Sequence, residues 1–152
     1  MKKLILGATG SIGSSLAKKI VEDGGEVHLV GRNQSELSGL ATQLNSTFTT
    51  CDVLEDNFSD KIFEDLGDTP INGLAYCVGS IDLKPIKMTK KSDYMQSFNL
   101  NLISATEIIR RSADNLKQNK GSIVLFSTVA AQRGFTNHAI IASTKAAVEG
   151  LT

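Results

Sequence analysis

The chain has 152 residues, about the size of one domain, and its 41% hydrophobic and 21% charged residues are typical of a globular protein. Positive and negative side chains are balanced at 16 each, so the net charge favours neither a nucleic acid nor an anionic membrane as partner. Two cysteines, Cys51 and Cys77, are too few and too far apart for a disulfide framework or a zinc site, and we expect no metal.

The amino terminus predicts neither an export signal nor a membrane span. Its apolar run, Leu4–Leu6, stops at a glycine, and no stretch approaches the roughly 18 apolar residues of a spanning helix. Both cysteines lie in apolar, strand-like surroundings, which favours buried free thiols. We therefore expect a reducing, cytoplasmic setting.

Strand-like runs alternate with helix-length segments along the chain. The predicted strands cover residues 2–7, 26–31, 46–53, 71–79 and 121–127. The predicted helices cover residues 12–23, 33 to 44, 56–67, 91–118 and a segment that begins near 138. Because parallel neighbours need right-handed helical crossovers, this order predicts an α/β fold, a doubly wound parallel sheet (Rossmann fold) with strands in the order 3-2-1-4-5.

The sequence GATGSIG, residues 7–13, follows strand one and opens helix one. Gly7 allows a tight turn, Gly10 lets main-chain N–H groups approach a pyrophosphate, and Gly13 lets the helix pack close to the strand. In this strand–turn–helix position the glycine pattern predicts a dinucleotide-binding loop. The remaining residues assigned to the loop are Thr9, Ser11 and Ile12.

The ends of strands two and three indicate which dinucleotide binds. Strand two ends in LVGRN, where Gly31 and Arg32 replace the carboxylate that would hydrogen-bond a ribose 2′-hydroxyl. A guanidinium suits a 2′-phosphate, so Arg32 with the adjacent Asn33 favours NADP(H). NAD(H) is possible if Arg32 is only a solvated surface residue. Asp52, with Val53 beside it, either reaches the adenine amino group or caps the next turn.

Six segments together resemble the short-chain dehydrogenase/reductase family. In chain order they are GATGSIG, CDV, YCVG, NLNLISA, GSIVLFSTVAA and ASTKAAVEGLT, and the resemblance covers the whole chain. It implies that Gly79 lines the adenosine–ribose groove and that Asn101 matches an asparagine that holds a water in a proton relay. It also implies that Lys145 binds the nicotinamide ribose and lowers the pKa of a catalytic tyrosine.

The resemblance fails at that tyrosine. Thr128 takes the place of the serine that polarises the substrate carbonyl, and Ser127 is an adjacent hydroxyl. At the family's spacing from Thr128, the tyrosine position falls on Ile141. A branched alkyl chain cannot donate a proton, so the usual acid is missing. The NNAG-like signature that the family has after strand four is also altered, to YCVG.

Most of these candidates have a structural interpretation beside the catalytic one. Asn101 can tie its helix to a neighbouring backbone, and Thr128 and Ser127 can satisfy backbone groups where strand five ends. For Lys145 a cofactor contact is favoured over a surface lysine, because an unpartnered buried ammonium is costly. Packing or capping is the favoured role for the remaining polar candidates, which are His138, Tyr76 and Tyr94.

Two functions follow from the resemblance. The first is an NADP(H)-dependent oxidoreductase that acts on a small carbonyl or hydroxyl compound, with His138, Tyr94 or water as proton donor. The second is a non-catalytic dinucleotide-binding sensor or scaffold. We expect residues 1–152 to be the NAD(P)-binding part of a longer chain, ending before the last strands and the substrate-binding region, and the full-length protein to be a homo-oligomer.

Overall fold

Five parallel strands form one sheet in the predicted order β3-β2-β1-β4-β5, in a computed structural model that describes residues 1–152. The strands are β1 (Lys2–Leu6), β2 (Glu26–Gly31), β3 (Thr47–Thr50), β4 (Ile71–Tyr76) and β5 (Ser122–Leu125). Strands β3, β4 and β5 end two or three residues earlier than predicted. The residues released from the sheet form loops at its carboxyl edge.

Six α-helices connect or flank the strands. They are α1 (Ser11–Glu22), α2 (Gln34–Gln43), α3 (Phe58–Leu66), α4 (Lys91–Phe98), α5 (Ser104–Gln118) and α6 (Ala139–Glu149). Asn33 caps α2, because its side-chain oxygen accepts hydrogen bonds from the amides of Ser35 and Glu36. No helix combines the length and the apolar character that a bilayer crossing needs.

The predicted helix over 91–118 is interrupted by one π-helical turn. Residues Asn99–Ile103 form this turn between α4 and α5. A π turn widens the helix by one residue and changes the direction of the side chains that it carries, and such turns are frequent at functional sites. Here the turn carries Asn101, and the phenol of Tyr76 holds it by donating a 2.6 Å hydrogen bond to the carbonyl of Leu100.

Apolar side chains cover both faces of the sheet. Along β1, Leu4 and Leu6 join the larger core cluster with residues of α3 and α5, whereas Ile5 joins a second cluster with residues of α1 and α2. All three side chains are fully buried. Alternation between two covered faces is what a doubly wound sheet requires. The edge strand β5 is more open, with Ile123 and Val124 exposed.

A buried histidine on β2 links two threonines of β3. His28 Nδ1 lies 2.8 Å from Thr47 Oγ1, and its Nε2 lies 2.9 Å from Thr49 Oγ1. Thr49 in turn donates a 2.6 Å hydrogen bond to Asp65, and Lys2 donates one to Thr47. Each hydroxyl has one hydrogen, so Thr47 donates to Nδ1 and the Nε2–H of neutral His28 donates to Thr49. Burial, with a smaller effect of Lys2, lowers the pKa of His28 to about 4.

We expect the free energy of unfolding to fall as the pH drops from about 6.5 towards 4. The folded state resists protonation of His28, whereas the unfolded chain takes up the proton at the ordinary pKa of 6.5. The full loss is about 3 kcal/mol. Urea unfolding at several pH values should show it, and His28→Gln should flatten the pH dependence in this range. Equal slopes for the variant and the wild type would contradict the assignment.

Candidate active site

The loop between β1 and α1 brings main-chain amides to the carboxyl edge of the sheet. Gly7 has a φ of +75°, and a β-carbon there would lie 2.8 Å from the carbonyl oxygen of Cys77. A β-carbon at Gly13 would lie 2.3 Å from the carbonyl oxygen of Gly7. Both positions therefore require glycine, and helix α1 packs directly on the turn.

The amino end of α1 is open to a ligand. Its N-cap is Gly10, which offers no side-chain hydrogen bond, and its first turn has no acidic residue. The first N–H groups of a helix have no acceptor within the helix, and the helix dipole places partial positive charge there. Among the loop residues, Ser11 and Ile12 belong to this first turn and are exposed. This end of α1 has the character of a phosphate site.

A groove of about 670 Å³ runs along the carboxyl edge of the sheet beside this turn. The predicted site residues that line it are Gly7, Thr9, Gly10, Arg32, Asn33, Asp52, Val53 and Gly79. The lining residues that the sequence did not single out for the site are Val30, Gly31, Glu36, Cys51, Leu54, Cys77, Val78, Ser80, Gln96 and Leu100. Cys51, Cys77 and Val78 follow a strand within two residues, which is the signal that could have identified them. The groove thus collects residues that follow β1, β2, β3 and β4, where open α/β sheets bind ligands.

Opposite charges meet at the end of the groove beyond β2 and β3. Arg32 Nη1 lies 3.7 Å from Asp52 Oδ2, and the Arg32 side chain is 76% exposed. Asp52 also accepts a 3.0 Å hydrogen bond from the amide of Leu54, so it caps its own turn. The side-chain oxygen of Asn33 is engaged in capping α2. The guanidinium is therefore the group in this region that is most available to an anion.

A second polar group lies where the π turn meets α6. A β-carbon built on Gly79 would lie 2.9 Å from Asn101 Oδ1 and 3.7 Å from Lys145 Nζ, so both atoms border the same gap. Asn101 is 1% exposed, and its Nδ2 donates to the carbonyl of Ser97. Its Oδ1 is buried and has no hydrogen-bond partner. Desolvation by burial lowers the pKa of half-buried Lys145. The structure thus brings three predicted site residues together here.

The two hydroxyls after β5 have structural partners. Thr128 Oγ1 accepts a 3.3 Å hydrogen bond from the amide of Ala130 and caps a short 3₁₀ turn. Its hydroxyl hydrogen is free to be donated elsewhere. Ser127 donates a 2.5 Å hydrogen bond to Glu149 on α6. Ser127 therefore ties the end of β5 to α6, whereas the hydroxyl hydrogen of Thr128 has no acceptor.

No phenol occupies the position one turn before Lys145. Ile141 is 3% exposed and fills that place with an alkyl chain. His138, at the start of α6, lies with its Nδ1 2.7 Å from the carbonyl oxygen of Thr136. A carbonyl only accepts, so Nδ1 carries the hydrogen and Nε2 of the neutral ring is an acceptor. Burial raises the pKa of Tyr76, whose phenol is committed to the π turn.

Comparison with known proteins relates the chain to reductases and dehydrogenases. The family model described as enoyl-(acyl carrier protein) reductase matches residues 7–152. L-xylulose reductase of Bos taurus is 30% identical over 154 residues, which cover 99% of this chain and 62% of that protein. The 3beta-hydroxysteroid dehydrogenase of Mediterraneibacter gnavus is 29% identical over 160 residues, which cover 98% of this chain and 57% of that protein. The chain thus spans about three fifths of the length of these relatives.

Solved structures agree with the fold. A short chain dehydrogenase/reductase family protein superposes with a TM-score of 0.92 at 22% identity, covering 100% of this chain and 65% of that one. A short-chain dehydrogenase/reductase from Saccharomyces cerevisiae gives a TM-score of 0.93 at 19% identity, covering 99% of this chain and 62% of that one. At these identities the superpositions establish the architecture alone.

Proposed function

Because this chain belongs to the short-chain dehydrogenase/reductase family, we propose that it is an NADP(H)-dependent oxidoreductase acting on a small carbonyl or hydroxyl compound. The observation that carries the proposal is the groove, in which the open amino end of α1 meets Arg32 at one end and the Asn101–Lys145 gap lies behind Gly79 at the other. When bound, the nicotinamide cofactor supplies or accepts the hydride.

Different residues of the groove contact different parts of the cofactor. The main-chain amides of Ser11 and Ile12 would bind the pyrophosphate, with hydroxyls of Thr9 and Ser11 beside it, whereas the amide of Gly10 donates to the carbonyl of Gly7. Asp52 and Val53 border the adenine, and Gly79 borders the adenosine–ribose part. The buried, unpartnered Oδ1 of Asn101 supports the fit, because a ligand or a water in the gap would satisfy it. Lys145 donates hydrogen bonds to the nicotinamide ribose.

Arg32 favours NADP(H) over NAD(H). It lies at the end of β2, where the groove has no carboxylate directly after the strand, and its guanidinium is exposed. Asp52 balances part of its charge at 3.7 Å, but a 2′-phosphate offers Arg32 a shorter, charge-assisted contact. Glu36 also lines the groove, and this carboxylate favours a ribose hydroxyl instead.

Arg32→Gln should weaken NADPH binding by about 10- to 100-fold, because hydrogen bonds to charged groups contribute about 1.5–3 kcal/mol. NADH affinity should change little, since NADH has no 2′-phosphate. Fluorescence titration of both cofactors with both proteins measures the four dissociation constants. If NADPH and NADH lose affinity equally, the proposed 2′-phosphate contact is wrong.

In the reaction, this chain's residues bind and orient the substrate oxygen. Thr128 donates its free hydroxyl hydrogen to that oxygen. Asn101 and Lys145, which border the gap, take part in the proton transfer. The names of the two relatives make ketoses and ketosteroids the first substrate classes to test. Oxidation of NADPH in the presence of L-xylulose, a 3-ketosteroid and the activated ketone 2,3-butanedione tests the activity.

We further propose that the protein is cytoplasmic and that copies associate through helices α4 and α5. Cys51 and Cys77 are free thiols, which suits a reducing compartment. Met95 and Ile103 are 54% and 55% exposed on the same helical segment. Burial of these apolar side chains between two copies would favour association. Light scattering of the purified protein measures the oligomeric state.

Ile141 favours a second candidate, a non-catalytic dinucleotide-binding sensor or scaffold. It is buried where the family's acid would be, so the groove can persist without the reaction. The two candidates differ in one measurement. If the protein retains NADPH but oxidises none of it with any carbonyl probe, the binding function replaces the enzymatic one.

A further inference from the structure

The fold shifts the pKa values of two lysines, Lys84 and Lys145, in opposite directions. Lys84 lies 2.9 Å from Asp93 and 3.0 Å from Asp82, and these carboxylates raise its pKa. Lys145 Nζ has no salt bridge and no hydrogen bond, and desolvation alone lowers its pKa. A half-buried ammonium without a partner is poorly stabilised. Such a group becomes more stable when it loses its proton or donates a hydrogen bond to a bound oxygen atom.

The neighbours of Lys145 leave it unpaired for identifiable reasons. One turn earlier is Ile141, which has no polar atom, and one turn later is Glu149, which Ser127 holds at 2.5 Å. The 3₁₀ turn and the π turn packed against α6 contain no titratable residue.

Helix α4 also packs against α6. Its ionisable residues are Lys91, Asp93 and Tyr94, and the one carboxylate among them, Asp93, is bonded to Lys84. No carboxylate therefore competes for the proton of Lys145.

The gap beside Lys145 offers room for an oxygen atom. Gly79 leaves it open, and the buried, unpartnered Oδ1 of Asn101 borders it from the π turn. An acceptor oxygen in this gap cannot bond to Asn101 Oδ1 unless it carries a hydrogen, whereas it can accept directly from the ammonium. A water or a hydroxyl product can do both.

We propose that Lys145 itself is the proton donor of this chain, in the place of the absent phenol. The proposal rests on the oxidoreductase function proposed above. As a substrate carbonyl carbon gains a hydride from the reduced nicotinamide cofactor, its π electron pair moves to oxygen, an N–H bond of the Lys145 ammonium breaks and an O–H bond forms. The products are the alcohol, the oxidised cofactor and a neutral amine, which regains a proton from solvent. In the oxidation direction the neutral amine accepts the hydroxyl proton.

Lys145→Arg separates proton donation from ribose binding. Arginine keeps a cation and hydrogen-bond donors for the ribose, but it does not release a proton near neutral pH. We expect NADPH affinity within a few-fold of the wild type, and a turnover number with 2,3-butanedione at least about 100-fold lower. Lys145→Met, which lacks both functions, should lose affinity as well. If Lys145→Arg keeps most of the wild-type turnover, the proposal is overturned.

The pH dependence provides a readout that does not depend on turnover alone. The carbon-13 signal of the Lys145 side chain in the cofactor complex gives the pKa of its amine directly. Wild-type carbonyl reduction should fall as the pH rises through that value, which lies below that of an ordinary lysine, because the ammonium is the acid. A turnover profile that breaks elsewhere, or a Lys145 pKa that is not lowered, contradicts the proposal.

Three further outcomes also decide the question. Loss of turnover in Tyr94→Phe or His138→Gln, with turnover kept in Lys145→Arg, assigns the proton to another group. A wild type that binds NADPH and turns over no probe, while Ile141→Tyr does, shows that Lys145 is not a donor. Failure to bind NADPH at all refutes the proposed function, and with it this inference.

Discussion

Ile141→Tyr is expected to raise the turnover number for carbonyl reduction by about 100-fold. A positioned general acid contributes about 10²–10⁴-fold, and the gain lies at the lower end because Lys145 already supplies a proton. Ile141 lies one turn before Lys145 on α6, so the new phenol would meet the ammonium that lowers its pKa. Steady-state rates of NADPH oxidation with 2,3-butanedione measure the change.

Ile141→Phe is the matched control for this gain. Phenylalanine brings nearly the same volume into a site that is 3% exposed, and it differs from tyrosine only in the hydroxyl. Any effect of overpacking, which typically costs about 1–3 kcal/mol, is then common to both variants. Equal turnover of the two variants would mean that a phenol at this position does not reach the substrate, and that α6 does not face the reacting atoms.

Gly13→Ala should reduce NADPH affinity by about 100-fold or more. The added β-carbon would lie 2.3 Å from the carbonyl oxygen of Gly7 and 2.9 Å from the Cα of Ala8. Both atoms belong to the backbone, so the turn must move away from the amino end of α1. Small displacements at a preorganised site have large effects, and we expect a loss of about 1–3 kcal/mol in unfolding free energy as well.

Gly39→Ala provides the control for a glycine substitution in a helix. A β-carbon at Gly39, on α2, would meet no atom within 4 Å. The variant should bind NADPH normally and be more stable by about 0.5–1 kcal/mol, because alanine favours the helix. Fluorescence titration and urea unfolding of both variants test this. Wild-type affinity in Gly13→Ala would refute the role assigned to the close packing of α1.

Local sequence patterns were sufficient to predict the framework of the site. Alternating strands and helices determined the sheet order, and the GATGSIG spacing located the turn at the amino end of α1. Arg32, Asp52 and Gly79 follow strands, so parallel strand order alone places them at one edge. The structure brings these residues to one groove, and their roles in binding are proposals.

Features that depend on distant contacts were not predictable from local patterns. Tyr76 donates a hydrogen bond to Leu100 in the π turn, whereas packing in the core was its favoured role. Ser127 was a candidate for the substrate oxygen, yet its partner is Glu149 on a later helix. Glu36 was not singled out for the site by any sequence pattern, yet it lines the groove. Each of these depends on residues that the fold brings together.

The proposed function requires a nicotinamide dinucleotide to bind with its pyrophosphate at the amino end of α1. Nuclear magnetic resonance titration of the nitrogen-15-labelled protein with NADP⁺ tests it most directly. We predict saturable shifts that are largest for the amides of residues 8–13 and 31–33, with Gly39 unchanged. An unchanged spectrum at millimolar NADP⁺, or shifts confined to residues outside the groove, would show that the cofactor does not bind at this end of α1.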